Sequence, residues 1–545
     1  MDSRSSKPCR PRCFANSPDA AISRIGSIDT GAGLTPRDPS GGCPAPRISS
    51  IIARRPITKS HREGRKMQKR KWMGAAGWLL AAMLAWMPAA WATPTDVSAG
   101  SFVFLSPETA CAANAQNCIT TNAAAAGTAV DALVQAGGAF FLLPSLDRFD
   151  PQVLESAIAS RHKKFLSFEE WAFQAARSTG KFDCASYTAN RIVPFLLPLK
   201  AAYPDAFYGF NLADEPGSSV HADLGQLRAC LKQQPQFASM KIFVNLGPAN
   251  ANSAALNDYR SPKADILSPA EYGVDCSSNT IANRSLTNMV IANYGAYVRS
   301  AINNIGPDIL AFDNYPFTPA FDTCSAAREL ITSENMSNIA GIARTAGIAS
   351  VAYLQNMRTP PGVTPVRFDS AGFHALRWYS AWFFTFGGQG FANFLSHDAS
   401  ASVAGIPMQG MLSIDNTPRD LLNEQQSTFG MNSQVQANLQ GYPFQDFVAP
   451  WLGVNTGTVI GWLPSTDLMA GEYGTPAGGR VMLFIASRPI TGTVGTTLGL
   501  NQWWAKIEQL DFNTGTWKVV GTSTNAITVS LGDFPGALYR LSSQP

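Results

Sequence analysis

Two apolar runs in this sequence end in carboxylates. Phe207-Tyr208-Gly209-Phe210-Asn211-Leu212-Ala213 leads straight into Asp214-Glu215-Pro216-Gly217, and Ile309-Leu310-Ala311-Phe312 leads into Asp313-Asn314-Tyr315-Pro316. Short apolar runs closed by turn residues read as buried strands of a parallel sheet. Acidic groups delivered at the C-terminal ends of such strands stand where barrel enzymes keep their chemistry. Two strand ends that each offer a carboxylate suggest acid/base work on a polar substrate, with sugars the leading class.

The elements needed to position these groups repeat along the chain. Gly138–Leu143, Lys164–Phe168, Lys241–Leu246, Ser350–Leu354 and Gly388–Phe394 are further apolar runs, separated by stretches with helical spacing. The clearest helix is predicted over Met289–Ile305, where Ile291, Tyr294, Val298 and Ile302 fall on one face. Strand alternating with helix predicts a parallel sheet, and this many repeats predicts a closed (β/α)8 TIM barrel. Asn250–Thr280 is polar and rich in Ser and Asn, so it reads as a long loop after the fifth strand. Thr417–Val448 reads as a helical segment that closes the barrel. Beyond it come short β-rich runs with Gly, Thr and Asn turns, the pattern of a small antiparallel β-sandwich.

The N-terminus carries a different signal. Met67-Gln68-Lys69-Arg70-Lys71 precedes an apolar run from Trp72 to Trp86 and then Ala90-Trp91-Ala92, the three parts of a cleavable secretory signal. Residues 1–66 are expected to be an unstructured extension from a translation start assigned too early. The predicted division is therefore extension 1–66, signal peptide 67–92, barrel 93–448 and sandwich 449–545, in a protein that is secreted or periplasmic. No stable membrane span is expected once the signal is removed, because Met87-Pro88 interrupts a core already short for a bilayer.

Charge and cysteines bound the function classes. Residues 1–92 hold 16 Lys and Arg against 5 Asp and Glu, which leaves 26 against 33, a net −7, for the remainder. A mildly acidic chain with no basic stripe argues against nucleic-acid binding. Six cysteines remain after residue 92, and sequence neighbours would pair as Cys111–Cys118, Cys184–Cys230 and Cys276–Cys324, though six cysteines allow fifteen arrangements. With no CxxC pair and four scattered histidines after residue 92, no metal site is expected, and no organic cofactor is implied. The oligomeric state is not set by the sequence.

Asn211-Leu212-Ala213-Asp214-Glu215-Pro216-Gly217, Phe312-Asp313-Asn314-Tyr315-Pro316, Val351-Ala352-Tyr353-Leu354-Gln355 and Gly387-Gly388-Gln389-Gly390-Phe391 occur in an order that resembles the clan A-type TIM-barrel glycoside hydrolases with a C-terminal β-sandwich. The resemblance covers roughly residues 100–545. It implies a poly- or oligosaccharide substrate and places Glu215 as general acid/base at the end of the fourth strand. It also implies a nucleophilic carboxylate at the end of the seventh strand, where this chain has Gln355. The second carboxylate is then expected from Asp313, with Asp147, Glu169 and Glu170 as weaker replacements.

Each candidate also has a structural reading. Asp214-Glu215-Pro216-Gly217 is good start-of-helix chemistry, and Asp313 could bind loop amides. Asp214 could raise the proton affinity of Glu215, and Gln355 could hydrogen-bond sugar hydroxyls. Tyr315 and Trp171 are the expected sugar-stacking aromatics, with Tyr208, Tyr272, Tyr353, Trp378 and Trp382 as further candidates; most aromatics pack cores instead. His397 and Asp398 follow the eighth strand and could reach substrate. Two other readings stand beside hydrolysis: a non-catalytic carbohydrate-binding protein on a degenerate glycosidase barrel, motivated by Gln355, and a structural envelope protein that uses the barrel as scaffold.

Overall fold

The computed structural model describes residues 97 to 544, apart from 98–99, 107–110, 113, 144–151, 178–179, 259–265, 365, 367, 370–371, 401–406, 476–477 and 532–534. The expected extension, the signal peptide and Asp147 lie outside the described residues.

Eight strands close into a barrel: β1 (Ser101–Phe104), β2 (Gly138–Leu142), β3 (Lys164–Phe168), β4 (Phe207–Asp214), β5 (Lys241–Leu246), β6 (Ile309–Phe312), β7 (Ala349–Gln355) and β8 (Gly390–Phe394). Each pairs in parallel with its sequence neighbour, and β1 closes on β8. Helices follow most strands: α1 (Ala123–Gln135), α2 (Gln152–Ala159), α3 (Glu170–Ala175), α4 (His221–Lys232), α5 (Arg284–Asn304), α6 (Ser325–Thr345), α7 (Gly372–Thr385) and α8 (Asp420–Leu439). The strand β1 was not among the apolar runs. At four residues, Ser-Phe-Val-Phe carries too little periodicity to stand out.

Side-chain alternation explains both the core and the site. On β5, Ile242, Val244 and Leu246 turn outward to the helices, while Phe243 packs inside with Phe102, Phe140, Ile309, Ala311, Val351 and Tyr353. Phe102 fills the interior, with ring centroids 4.7 Å from Phe140 and 5.2 Å from Phe243. Continuing the inward register towards the C-terminal ends brings up Asn245 on β5, Asp313 just past β6 and Gln355 on β7.

The second domain is a seven-stranded antiparallel sheet: β9 (Phe444–Val448), β10 (Ile460–Trp462), β11 (Leu468–Tyr473), β12 (Arg480–Ser487), β13 (Val494–Asp511), β14 (Thr516–Leu531) and β15 (Gly536–Ser542). β13 shifts register between Gly499 and Trp504. There the sheet doubles over, so that Leu498, Leu500, Ile527 and Val529 meet Val481, Leu483 and Ile485 in a core of their own. The result is a β-sandwich. Strand β9 lies in the stretch read as helical, which α8 only partly fills.

The opposite face of β12 packs on the barrel. Trp378 and Trp382, both on α7 and fully buried, donate from their indole nitrogens to the carbonyls of Arg488 and Ser487, each at 2.8 Å. They are interdomain core and do not face a ligand, which corrects the expectation that they could stack on sugars. All three neighbour-paired disulfides are present. Among the described residues no helix is long and apolar enough to cross a membrane.

Candidate active site

Strand β4 ends in a backbone arrangement that presents Glu215. Its φ is +48°, a left-handed conformation unfavourable for a side chain of this size. The surroundings hold it there. The Glu215 amide donates to the Asn245 carbonyl at 2.9 Å. The next carbonyl, of Pro216, accepts from Tyr297 Oη at 2.9 Å and from His221 Nε2 at 3.2 Å. Tyr294 Oη donates to the Gly247 carbonyl at 3.1 Å. A Cβ at Gly247 would lie 3.8 Å from Glu215 Cβ, so this glycine lines the space beside the carboxylate.

Asp214 and Asp313 meet across β5. Asn245 Nδ2 donates to Asp214 Oδ1 at 2.8 Å and to Asp313 Oδ2 at 2.9 Å. The Asp214 amide donates to Glu170 Oε2 at 3.1 Å, which ties the site to the first turn of α3. Asp313 receives a further hydrogen bond from Tyr315 Oη at 3.0 Å on its Oδ1. Burial, then the charges of Glu215 and Asp214, push the Asp313 carboxyl well above the usual carboxylate range, against the Asn245 and Tyr315 hydrogen bonds that favour its anion. Glu215 and Asp313 are both half-buried, and the upward push favours a proton on Asp313.

Aromatic rings surround the cluster. Tyr315 stacks on Phe394 with centroids 5.8 Å apart and meets Phe368 edge-on at 6.1 Å. Tyr353 is buried inside the barrel, and its hydroxyl is held neutral by burial and by the charges of Asp313 and Asp214. Trp171, 37% exposed at the start of α3, offers its ring to solvent.

The other predicted residues are placed differently. Gln355 is buried, its Oε1 accepting from the Phe317 amide at 3.0 Å and its Nε2 donating to the Phe317 and Asp369 carbonyls at 2.8 and 3.1 Å. Its amide is committed to backbone. Tyr272 packs in a separate cluster with Val274, Phe321 and Cys324, beside the Cys276–Cys324 disulfide, and presents no face to a ligand. His397 is fully buried between Ser396 Oγ at 2.9 Å and Asn416 Oδ1 at 3.0 Å, and burial pushes its pKa down to about 4. Asp398 is paired with Arg419. Glu169 is enclosed by Arg191, Tyr187 and Ser167, so it is no free base. Sequence reasoning missed Asn245. Its one signal was a lone amide in the run Lys-Ile-Phe-Val-Asn-Leu, at an inward position.

No protein-family profile matches this chain, and no curated protein matches it. Solved structures do. A family 51 α-L-arabinofuranosidase from Bifidobacterium longum aligns over 83% of this chain and 97% of its own, with 10% identity and a TM-score of 0.43. An α-amylase from Geobacillus thermoleovorans aligns over 82% and 99%, with 10% identity and a TM-score of 0.40. A family 51 arabinofuranosidase from Xanthomonas axonopodis pv. citri aligns over 76% and 89%, again with 10% identity and a TM-score of 0.40. At this level the likeness is one of general architecture, and what the site does is argued from its own residues.

Proposed function

We propose that this protein is an exported glycoside hydrolase that cleaves a poly- or oligosaccharide with two carboxylates of the Asp214–Glu215–Asp313 cluster. The supporting observation is the cluster itself: three half-buried acidic residues gathered at the C-terminal ends of β4 and β6, with Asp214 and Asp313 sharing the Asn245 amide and the Asp313 carboxyl pushed upward by burial and by the charges of the other two. Glycosidic cleavage needs that pairing, an acid to protonate the leaving oxygen and a carboxylate to stabilise or attack the sugar or to activate water.

The proton favours a distribution of roles opposite to the one expected from sequence. Asp313 holds the proton and delivers it to the glycosidic oxygen. Glu215, presented by its left-handed backbone, acts as nucleophile or base. The charge of Asp214 raises the proton affinity of Asp313. Tyr315 and Trp171 supply apolar faces for pyranose rings. Three disulfides are consistent with export.

The test is a hydrolysis screen over plant, bacterial and fungal polysaccharides with the wild type, Glu215→Gln and Asp313→Asn. Turnover by the wild type that falls by about 100-fold or more in each variant, with glycan binding retained, supports the reading. A wild type that binds glycans but hydrolyses none supports the second reading, a carbohydrate-binding protein, which the committed amide of Gln355 at the end of β7 favours.

A further inference from the structure

Asn245 touches all three acidic residues of the cluster. Its carbonyl holds the Glu215 amide at 2.9 Å, while its single side-chain nitrogen donates to Asp214 at 2.8 Å and to Asp313 at 2.9 Å. The side chain is 1% exposed, so it does not reach the cleft. Its Oδ1 is covered and has no hydrogen-bond partner among the described residues. The amide orientation follows from the Asp214 contact: turned over, Oδ1 would face the Asp214 carboxylate, acceptor against acceptor, and that hydrogen bond would be lost.

The choice of a neutral bridge has a consequence. A lysine or arginine here would supply a counter-charge and drive both aspartates to their anions. An amide holds the two carboxylates face to face without one, so the cluster keeps a proton. The groups that act on Asp313 come from every side: Glu215 and Asp214 from β4, Tyr315 from its own loop, Tyr353 from β7, Tyr294 from α5 and Tyr379 from α7. Of these, Tyr315 donates a hydrogen bond to Asp313, as Asn245 does from β5.

We propose that Asn245 is the positioning residue of this site, fixing through one shared nitrogen how Asp214 and Asp313 face each other and which oxygens they turn to the cleft. The role rests on the two-carboxylate reading, and its test is read first without substrate. Asn245→Leu removes the shared donor but keeps the shape and the backbone tether of Glu215. Infrared titration of the protonated-carboxyl band, assigned to Asp313 by its loss in Asp313→Asn, is compared between wild type and variant.

Loss of a donor that favours the anion moves the midpoint of Asp313 upward, by about one pH unit. The alkaline limb of hydrolysis moves with it, and KM changes little because Asn245 is off the cleft. An unchanged midpoint overturns the proposal whatever the activity. A shifted midpoint in a protein that hydrolyses no glycan keeps Asn245 in its structural place and sinks the hydrolase reading instead. Should Asn245→Leu fail to fold by circular dichroism, Asn245→Ala removes the same donor without added bulk, and the same midpoint decides.

Discussion

Gln355 is fastened to Phe317 from both sides, its Oε1 accepting from the Phe317 amide at 3.0 Å and its Nε2 donating to the Phe317 carbonyl at 2.8 Å. This closed pair pins the chain after β6 to the end of β7. A glutamate in its place would meet the amide well but turn its second oxygen towards two carbonyls, of Phe317 and Asp369. It must then bind a proton or lose both contacts. Gln355→Glu is therefore expected to destabilise the fold by about 1–3 kcal/mol and to confer no gain in hydrolysis. Calorimetry and the polysaccharide screen check the two halves separately; a gain in turnover would show that this position faces substrate after all.

Glu215 stores strain. A non-glycine residue at φ +48° costs about 1–2 kcal/mol relative to ordinary backbone. Asparagine tolerates this conformation better than glutamate does. Glu215→Asn is thus expected to raise the melting temperature while abolishing hydrolysis. A variant that lost activity and also lost stability would mean that the Glu215 side chain makes contacts worth more than the strain.

How far the sequence disclosed this arrangement depends on the period of the signal. The β4 and β6 runs announce themselves because each is almost wholly apolar and ends in acids, and with five further runs they imply the barrel although β1 is too short to register. Neighbouring cysteines in sequence proved to be neighbours in space: Cys111 and Cys118 close a short loop, and the two longer spans each contain one barrel strand with its flanking helices. Asn245 was hidden, since one polar residue in an apolar strand reads as noise until closure of the barrel turns its face inward. Tyr272 and His397 misled for the converse reason. His397 follows a strand end and Tyr272 lies in a long loop, but the burial of each depends on chain that returns over it, and no local pattern encodes that return. Trp378 and Trp382 lie on a helix face that looks available only while the sandwich is absent.

Two buried histidines make stability sensitive to acid. Burial pushes both His221 and His397 down to about 4, whereas in the unfolded chain they titrate at about 6.5. Between those values the unfolded chain binds protons that the folded protein refuses. Stability is then fully present above about pH 6.5, declines as pH falls towards 4, and changes no further from this source below it. The loss is on the order of 3 kcal/mol for each histidine. His221→Gln retains a donor for the Pro216 carbonyl and removes one of the two titrations. Denaturant unfolding at pH 7.5 and pH 4.5 is expected to give a smaller difference for this variant than for the wild type, and an equal difference would place the acid sensitivity elsewhere.

The buried pair beneath the site makes the last prediction. Arg191 donates from Nε to Glu169 Oε2 at 2.8 Å and from Nη2 to Oε1 at 3.0 Å, with both residues almost fully buried. Tyr187 and Ser167 add hydrogen bonds to the same carboxylate at 2.7 and 2.5 Å. Arg191 belongs to a nine-residue π-helical stretch, Thr188–Leu196, that contains Pro194, so the ion pair anchors an irregular segment to the end of β3. Removing one partner leaves a charge in an apolar wall, at about 3–5 kcal/mol, whereas replacing both leaves none. Arg191→Met alone is expected to be strongly destabilising, and Glu169→Gln with Arg191→Met markedly less so. A double-mutant cycle by chemical denaturation measures the coupling. Because Glu170, the next residue, accepts from the Asp214 amide at 3.1 Å, the single variant should also disturb the carboxylate cluster. Strictly additive losses would show instead that Arg191 and Glu169 contribute independently and that their pairing adds nothing.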